Sequence, residues 1–427
     1  MDERTGTYAP DGGLRLHGWL DPPLVGVALV MAAAGFAQFS PAAALADVAE
    51  HFGELRDGGT IADQAGLPGT VLGAGLAVIR LSALAALPLA GLADRFGRRR
   101  TLLVWVTLGL LTVVAAAGSP GYWWFVGVFA VARPLLTATD TIGEVMAAEH
   151  TAASDRAKAI ALMSAAYGLG AGSVAVLRAI LGAGLGFRAV FGLSVLPLAL
   201  VWLAARTITE PARYRAASAE VRPVPVLGAI QPGRRARLAV LAGLAFASGL
   251  VTGPVNTFLF VYAENVLDVT SALTGALVVA AAPVSLSSLV LGRYLSDRIG
   301  RRPTGAAALI ALCGVGVLTY SGSVGALVAG YLLGIFTGAV YATPAIALAN
   351  ELFPTSARAS VAGWLVVAGV LGATSGLVLA GAVADASDSF AAAMAFVCVP
   401  AALSAALVVL VPETRALELE ESAPETS

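Results

Sequence analysis

Lysine is almost missing from this chain: Lys158 is the only one among 26 Lys and Arg residues. With so much Ala and Gly, that bias fits GC-rich coding sequence and carries no mechanism. Cysteine is nearly as rare. Cys313 and Cys398 both fall in apolar runs, which excludes a disulfide framework and a thiolate metal site. His17, His51 and His150 are scattered at polar positions and cannot form a metal cluster. Charge is scarce as well. Only 12% of residues are Asp, Glu, Lys or Arg, about half of what an ordinary soluble domain carries. There is no phosphate-binding glycine loop and no catalytic triad, so neither an ATP-driven pump nor an enzyme is expected. No metal, cofactor or nucleic-acid partner is expected either.

What the chain has instead is apolar length. It is 58% hydrophobic over 427 residues, with a mean hydropathy of +0.83. Runs of about 18–25 apolar residues, enough to cross a bilayer, recur from residue 22 to residue 411. The pattern predicts twelve spans: 22–44, 67–91, 101–118, 122–148, 157–181, 185–206, 237–263, 270–292, 303–320, 325–350, 358–382 and 390–411. Residues 1–21 are polar and lack the form of a cleavable signal peptide, so the first span is expected to stay as an anchor. Basic residues set the orientation. Only Arg56 and Arg188 fall in outer loops, and Arg80, Arg133 and Arg178 fall inside spans; all the others lie on the opposite side. Both termini are therefore expected in the cytoplasm. The acidic first outer loop, "DVAEHFGELRDGGTIADQ", asks for no functional reading.

The longest polar stretch between spans is 207–236, and it divides the chain into six spans and six. The halves repeat. "GLADRFGRRR" at 91–100 returns as "RYLSDRIGRRP" at 293–303, with Asp94 and Asp297 203 positions apart. Glu149 and Glu351, like Arg156 and Arg358, stand 202 apart. Two motif pairs at nearly one offset indicate internal duplication. The expected layout is a cytoplasmic tail (1–21), a six-helix bundle (22–206), a cytoplasmic linker (207–236), a second bundle (237–411) and an acidic tail (412–427). The fold class is all-α membrane protein, with twelve transmembrane helices in two pseudo-symmetric six-helix bundles. Parallel repeats of this kind enclose a midplane site in alternating-access transporters.

These residues also carry a family resemblance. Gly91, Asp94, Arg95, Gly97, Arg98 and Arg99 resemble the loop motif of the major facilitator superfamily, between its second and third spans. Asp297, Arg298, Gly300, Arg301 and Arg302 form a weaker copy. Gly91 is expected to let helices approach closely, and Gly97 to make a tight turn. The resemblance implies that Asp94, Glu149 and Arg156 join a charge network latching the cytoplasmic gate, and that Asp297, Glu351 and Arg358 do likewise in the second half. It also implies a monomer moving a small-molecule substrate, with protons, across a cell (inner) membrane, in contact with the lipid bilayer. Three further stretches resemble the sugar-porter branch and its metabolite–proton symporter relatives: Glu210-Pro211-Ala212-Arg213-Tyr214, Pro412-Glu413-Thr414-Arg415, and "GPVNTFLFVYAENV", which aligns Asn256 and Tyr262. The chain departs from that branch where paired glutamines would stand in span 7, with Ala247 and Ser248. Proton-coupled members carry an acid in span 1, where this chain has Ala37 and Gln38.

The sharpest local signal is in span 4. Arg133, Asp140 and Glu144 follow one another at steps of seven and four, on one side of a helix. A mid-membrane charge costs about 2.5–3.5 kcal/mol on insertion scales, so such residues must face protein or water. Two readings stay open: an Arg–Asp brace inside the first bundle, or charges facing an aqueous cavity. On the second reading, Arg133, Arg80, Gln38, Asn256 and Tyr262 bind substrate, and Asp140, with Glu144 behind it, carries the proton. With so few amides for hydroxyl groups (three Gln, three Asn), an anionic or zwitterionic metabolite is favoured. A sugar or polyol carrier, an exporter of an amphipathic compound, and a non-transporting sensor or scaffold are the alternatives.

Overall fold

The structure is a computed structural model and describes residues 18–53, 60–152, 155–181, 186–211 and 234–415. The N-terminal tail before residue 18, most of the linker (with Arg213 and Tyr214) and the acidic tail from residue 416 lie outside these residues.

Among the described residues, twelve helices are long and apolar enough to cross a membrane: α1 (Pro22–Ala43), α2 (Gly69–Phe96), α3 (Arg98–Ala116), α4 (Tyr122–His150), α5 (Arg156–Leu181), α6 (Gly186–Thr207), α7 (Arg235–Val266), α8 (Ser271–Arg298), α9 (Arg301–Thr319), α10 (Val324–Glu351), α11 (Thr355–Ser387) and α12 (Phe390–Leu410). Several differ at their ends from the hydropathy pattern. α8 runs on to Arg298, and α3 starts at Arg98, so most of each loop motif is helical. Only Gly97 separates α2 from α3. Polar residues continue a helix past the apolar slab because its backbone bonds are internal, and hydropathy does not report this. Three helices change winding: α2 through a 3₁₀ turn at Ala83–Ala85, α7 into a π turn at Tyr262–Val266, and α12 into a 3₁₀ turn at Ala405–Leu410. The segment between α1 and α2 contains two short helices, Leu45–Phe52 and Ile61–Ala65.

The chain folds as two compact units. One holds residues 1–48 and 82–222; the other holds 49–81 and 223–427. The N-terminal half of α2 thus belongs with the second unit, and the boundary inside α2 falls just before the 3₁₀ turn.

The units repeat one packing scheme. In the first, α1 packs along α5, and α3 along α4. In the second, α7 packs along α11, and α9 along α10. Small residues set the α1–α5 spacing. A Cβ at Gly35 would meet the Tyr167 carbonyl, and one at Gly170 the Ala32 carbonyl, both far inside van der Waals contact. Without a hydrophobic drive between helices in lipid, such close backbone packing supplies much of the association. Each unit also has an aromatic core. Phe125, Phe129, Phe187 and Phe191 stack in the first, and Phe258, Tyr262, Tyr320 and Phe390 in the second.

Candidate functional site

Charge gathers first at the turns Gly97 and Gly300. Gly97 has φ +93° and Gly300 φ +127°, a region that penalises any Cβ, so glycine makes both turns. Each turn leaves the first amides of the next helix without acceptors. A carboxylate from the end of the same unit fills both places. Glu210 accepts from Arg98 N (2.6 Å) and Arg99 N (3.1 Å). Glu413 accepts from Arg301 N (2.9 Å) and Arg302 N (3.0 Å). The positive helix end and the negative carboxylate reinforce one another.

The arginine side chains complete each assembly. Arg98 bridges Asp94 (3.1 Å) and Glu149. Arg301 bridges Asp297 (2.8 Å) and Glu351 (3.2 Å), and the Thr414 hydroxyl donates to Glu351. Arg99 donates to the carbonyls of Ala205 and Ile208, and Arg302 to those of Val408 and Val409. Acid, arginine and acid therefore recur in both units.

Other motif residues stand elsewhere. Arg95 and Arg156 are exposed and make no side-chain hydrogen bond or ion pair among the described residues. Arg358 does not reach Glu351; its Nε donates to the carbonyls of Asn350 and Phe353, tying the start of α11 to the end of α10. Arg298 bonds the Tyr294 hydroxyl and lies against its ring, one turn back on the same helix. Gly91 makes no close helix contact. It lines a cavity of about 230 Å³ beside Asp94, Arg98 and Thr141, and a Cβ there would meet nothing within 4 Å.

The second feature is the stripe on α4. Arg133 Nε, Thr137 Oγ1 and Asp140 Oδ1 are buried atoms with no hydrogen-bond partner among the described residues. Steps of four and three set them in a row along one face. An unmatched buried polar group costs about 1–3 kcal/mol, so the row is a place that water or a bound solute completes. Among the described residues, Asp140 has one hydrogen-bond partner. Gln38, only 7% exposed on α1, donates through Nε2 to Asp140 Oδ2 at 2.6 Å. Arg133 and Asp140 form no ion pair with each other among the described residues. Seven residues apart, they are separated by about 10 Å along the axis. Glu144 is exposed one turn further on.

Arg80 lies in the second unit, where it lines a cavity of about 550 Å³ with residues of α7, α9, α10, α11 and α12. Asn256 is exposed and lines a separate cavity of about 350 Å³ with Ser285. Tyr262 sits in the aromatic core of the second unit. It is 3% exposed, its ring packs on Tyr320 and Phe390, and its hydroxyl accepts from Gly322 N at 2.9 Å. An aromatic at the end of an apolar span reads alike in sequence whether it faces a ligand or a core.

Sequence reasoning gave no role to four carboxylates that the structure puts to use. Glu210 and Glu413 cap α3 and α9, and their shared 203-residue offset was the signal that could have found them. Asp47, in the short helix Leu45–Phe52, takes a two-pronged bond from Arg178 Nε (3.0 Å) and Nη2 (2.6 Å). Asp385, on α11, accepts from Gly69 N (2.6 Å), Thr70 N (2.8 Å) and Thr70 Oγ1 (2.6 Å), and so caps α2. No local pattern announces these last two pairings.

The sequence matches the family model described as Major Facilitator Superfamily over residues 25–295 and 282–426. No curated protein matches it. Among solved structures, the inward open xylose transporter XylE from E. coli is similar with a TM-score of 0.71 at 18% identity, over 93% of this chain and 98% of that one. The nucleoside transporter NupG gives 0.68 at 12% identity, over 91% and 98%. The human organic anion transporter MFSD10 (TETRAN) gives 0.61 at 16% identity, over 91% and 99%. Likeness at such identities speaks for the fold. Together with the family match along nearly the whole sequence and the twelve apolar helices, it makes this multi-pass membrane protein a member of the Major Facilitator Superfamily.

Proposed function

We propose that this chain is a secondary active transporter of a small organic anion or zwitterion, coupled to protons. It works as a monomer in the cell (inner) membrane with both termini in the cytoplasm, and its two halves rock to expose the site to either side in turn. The carrying observation is the row of unmatched polar atoms on α4, Arg133 Nε, Thr137 Oγ1 and Asp140 Oδ1, with Gln38 held against Asp140. Arg133 offers a fork of donors to a carboxylate or phosphate. Asp140 is the proton carrier. Its held partner is a neutral amide, which can donate to the carboxylate or accept from the acid, so both protonation states are accommodated by turning one side chain. An ion-pair partner would favour the charged form alone. The doubled Arg98 and Arg301 assemblies serve as the cytoplasmic latch.

The test is uptake into proteoliposomes from a panel of labelled carboxylates, amino acids and pentoses. Asp140→Asn should abolish accumulation under an imposed proton gradient while sparing exchange of the same solute across the membrane. A variant that still concentrates solute would remove Asp140 from the coupling role. A sugar or polyol carrier is the second reading. It is supported by the fold shared with xylose transporters and by Asn256 beside Ser285 in its own cavity. Preferential uptake of the pentoses would decide for it.

A further inference from the structure

The tightest backbone contacts give the register between the two repeats. In the first unit these contacts are Gly35 with the Tyr167 carbonyl and Gly170 with the Ala32 carbonyl. In the second they are Gly249 with the Gly369 carbonyl and Gly372 with the Phe246 carbonyl. A position on α1 therefore corresponds to the one 214 residues later on α7, and a position on α5 to the one 202 later on α11. α4 and α10 keep the offset of 202. Glu149 and Glu351 take the same arginine bridge, and Leu136 lies against Gly109 as its counterpart Gly338 faces Leu312. By this register Gln38, Arg133, Thr137 and Asp140 correspond to Thr252, Ile335, Ala339 and Ala342. All four counterparts line one cavity, that of about 350 Å³ in the second unit. The row on α4 thus occupies the face that borders open space in the other repeat. Where that repeat has Ile, Ala and Ala, the first has an arginine, a hydroxyl and a carboxylate.

Thr137 is the member of the row that discriminates. A threonine inside a helix can turn its hydroxyl back to the carbonyl four residues earlier. On this same helix Thr139 does so with Leu135 (2.9 Å) and Thr141 with Thr137 (3.2 Å). Thr137 does not. Its Oγ1 is buried and has no hydrogen-bond partner among the described residues. It therefore offers a donor and an acceptor to whatever completes the row, one turn and about 6 Å along the axis from Arg133. The group that meets it should be neutral. A compact amino acid with its carboxylate on Arg133 would hold its ammonium near the guanidinium, and Thr137 has no charge to offset the repulsion. A hydroxyl in the same place carries no such cost.

We infer that the row binds a hydroxy acid, its carboxylate on Arg133 and its hydroxyl on Thr137, with Asp140 left to the proton. Thr137 is then the residue that sets specificity. The assignment rests on the transport reading above and narrows its solute from anions and zwitterions at large to hydroxylated monocarboxylates. An acid without the hydroxyl would cover Thr137 Oγ1 and give it no partner, which is destabilising.

The experiment is equilibrium binding of 2-, 3- and 4-hydroxybutyrate to the purified full-length protein, with butyrate and the matching aminobutyrates as comparisons. At least one hydroxybutyrate should bind about tenfold more tightly than butyrate, and more tightly than its aminobutyrate. Thr137→Val keeps the side-chain shape and removes the hydroxyl. It should erase the preference and leave butyrate binding within about twofold. Thr139→Val removes a hydroxyl already bonded within the helix, so it should leave the preference intact. No preference in the parent, a preference that survives Thr137→Val, or an equal loss in Thr139→Val would overturn the inference. Tighter binding of the aminobutyrates would overturn it in favour of zwitterions. A Thr137→Val protein that loses butyrate along with the rest would make Thr137 a packing residue and overturn it too. Proteoliposome flux separates the two proposals. A hydroxybutyrate that binds as described but does not cross upholds the ligand class and defeats the transport reading. Flux of carboxylates that is indifferent to Thr137→Val upholds transport and defeats the class.

Discussion

At the scale of single residues, Glu413 does more than its place in a surface motif suggests. Burial pushes its carboxyl up, but the backbone amides of Arg302, Arg301, Arg415 and Thr414 outweigh burial and hold it below the ordinary value of 4.5. A group with a lowered folded-state pKa favours the folded protein fully above its unfolded value, and that contribution fades as pH falls through the folded value. Glu413→Gln should therefore unfold at a lower temperature than the parent at neutral pH, consistent with loss of a cap worth about 0.5–2 kcal/mol. The gap should close as pH drops below about 4.5. Thermal unfolding of both proteins across that range checks this, and a gap independent of pH would contradict it. At this scale the sequence was legible where a residue type has one plausible reason to be present. Asp140 in an apolar helix called for a polar neighbour, and Gln38 is placed against it. Arg156, Arg358 and Tyr262 had several plausible surroundings, and the structure settles them in ways their neighbours in sequence do not encode.

Among elements, α2 is the unusual one. Its N-terminal end is held in the second unit by one carboxylate, Asp385, which accepts three hydrogen bonds from Gly69 and Thr70. Its middle loosens into a 3₁₀ turn at Ala83–Ala85. Asp385→Ala removes the acceptor for two amides at the start of α2, a loss of about 1 kcal/mol, which corresponds to about fivefold in an opening equilibrium. A cysteine placed at Val71, in a background without Cys313 and Cys398, should react about fivefold faster with a membrane-impermeant maleimide in the Asp385→Ala variant. Equal rates would show that close backbone packing at Gly69 and Gly73 suffices to hold the helix. Hydropathy anticipated this helix but not its change of winding. Leucine, alanine and proline keep a segment apolar whichever way it is wound, and the cap comes from a residue more than 300 positions away.

For the molecule as a whole, duplication made the architecture readable: six spans, a polar linker and six spans, with the loop motif repeated at an offset of 203. The three-dimensional units nevertheless do not follow the duplication. Residues 49–81 come from the first repeat and pack with the second. In assembly terms, this stretch is a donated arm, and the donation runs one way, because no segment after residue 222 is returned to the first unit. The repeats are then unequal as folding partners. Cut in the linker, the first fragment carries an apolar arm with nowhere to pack, and the second lacks the arm that covers α11 and lines its cavity. Residues 1–222 and 223–427 expressed separately should be degraded, whereas co-expressed they should protect each other. Moving residues 49–81 onto the second fragment through a flexible linker should free that fragment of its dependence. Protease resistance of the re-armed second fragment, compared with the plain one, measures how much of its stability is borrowed from the other half of the gene.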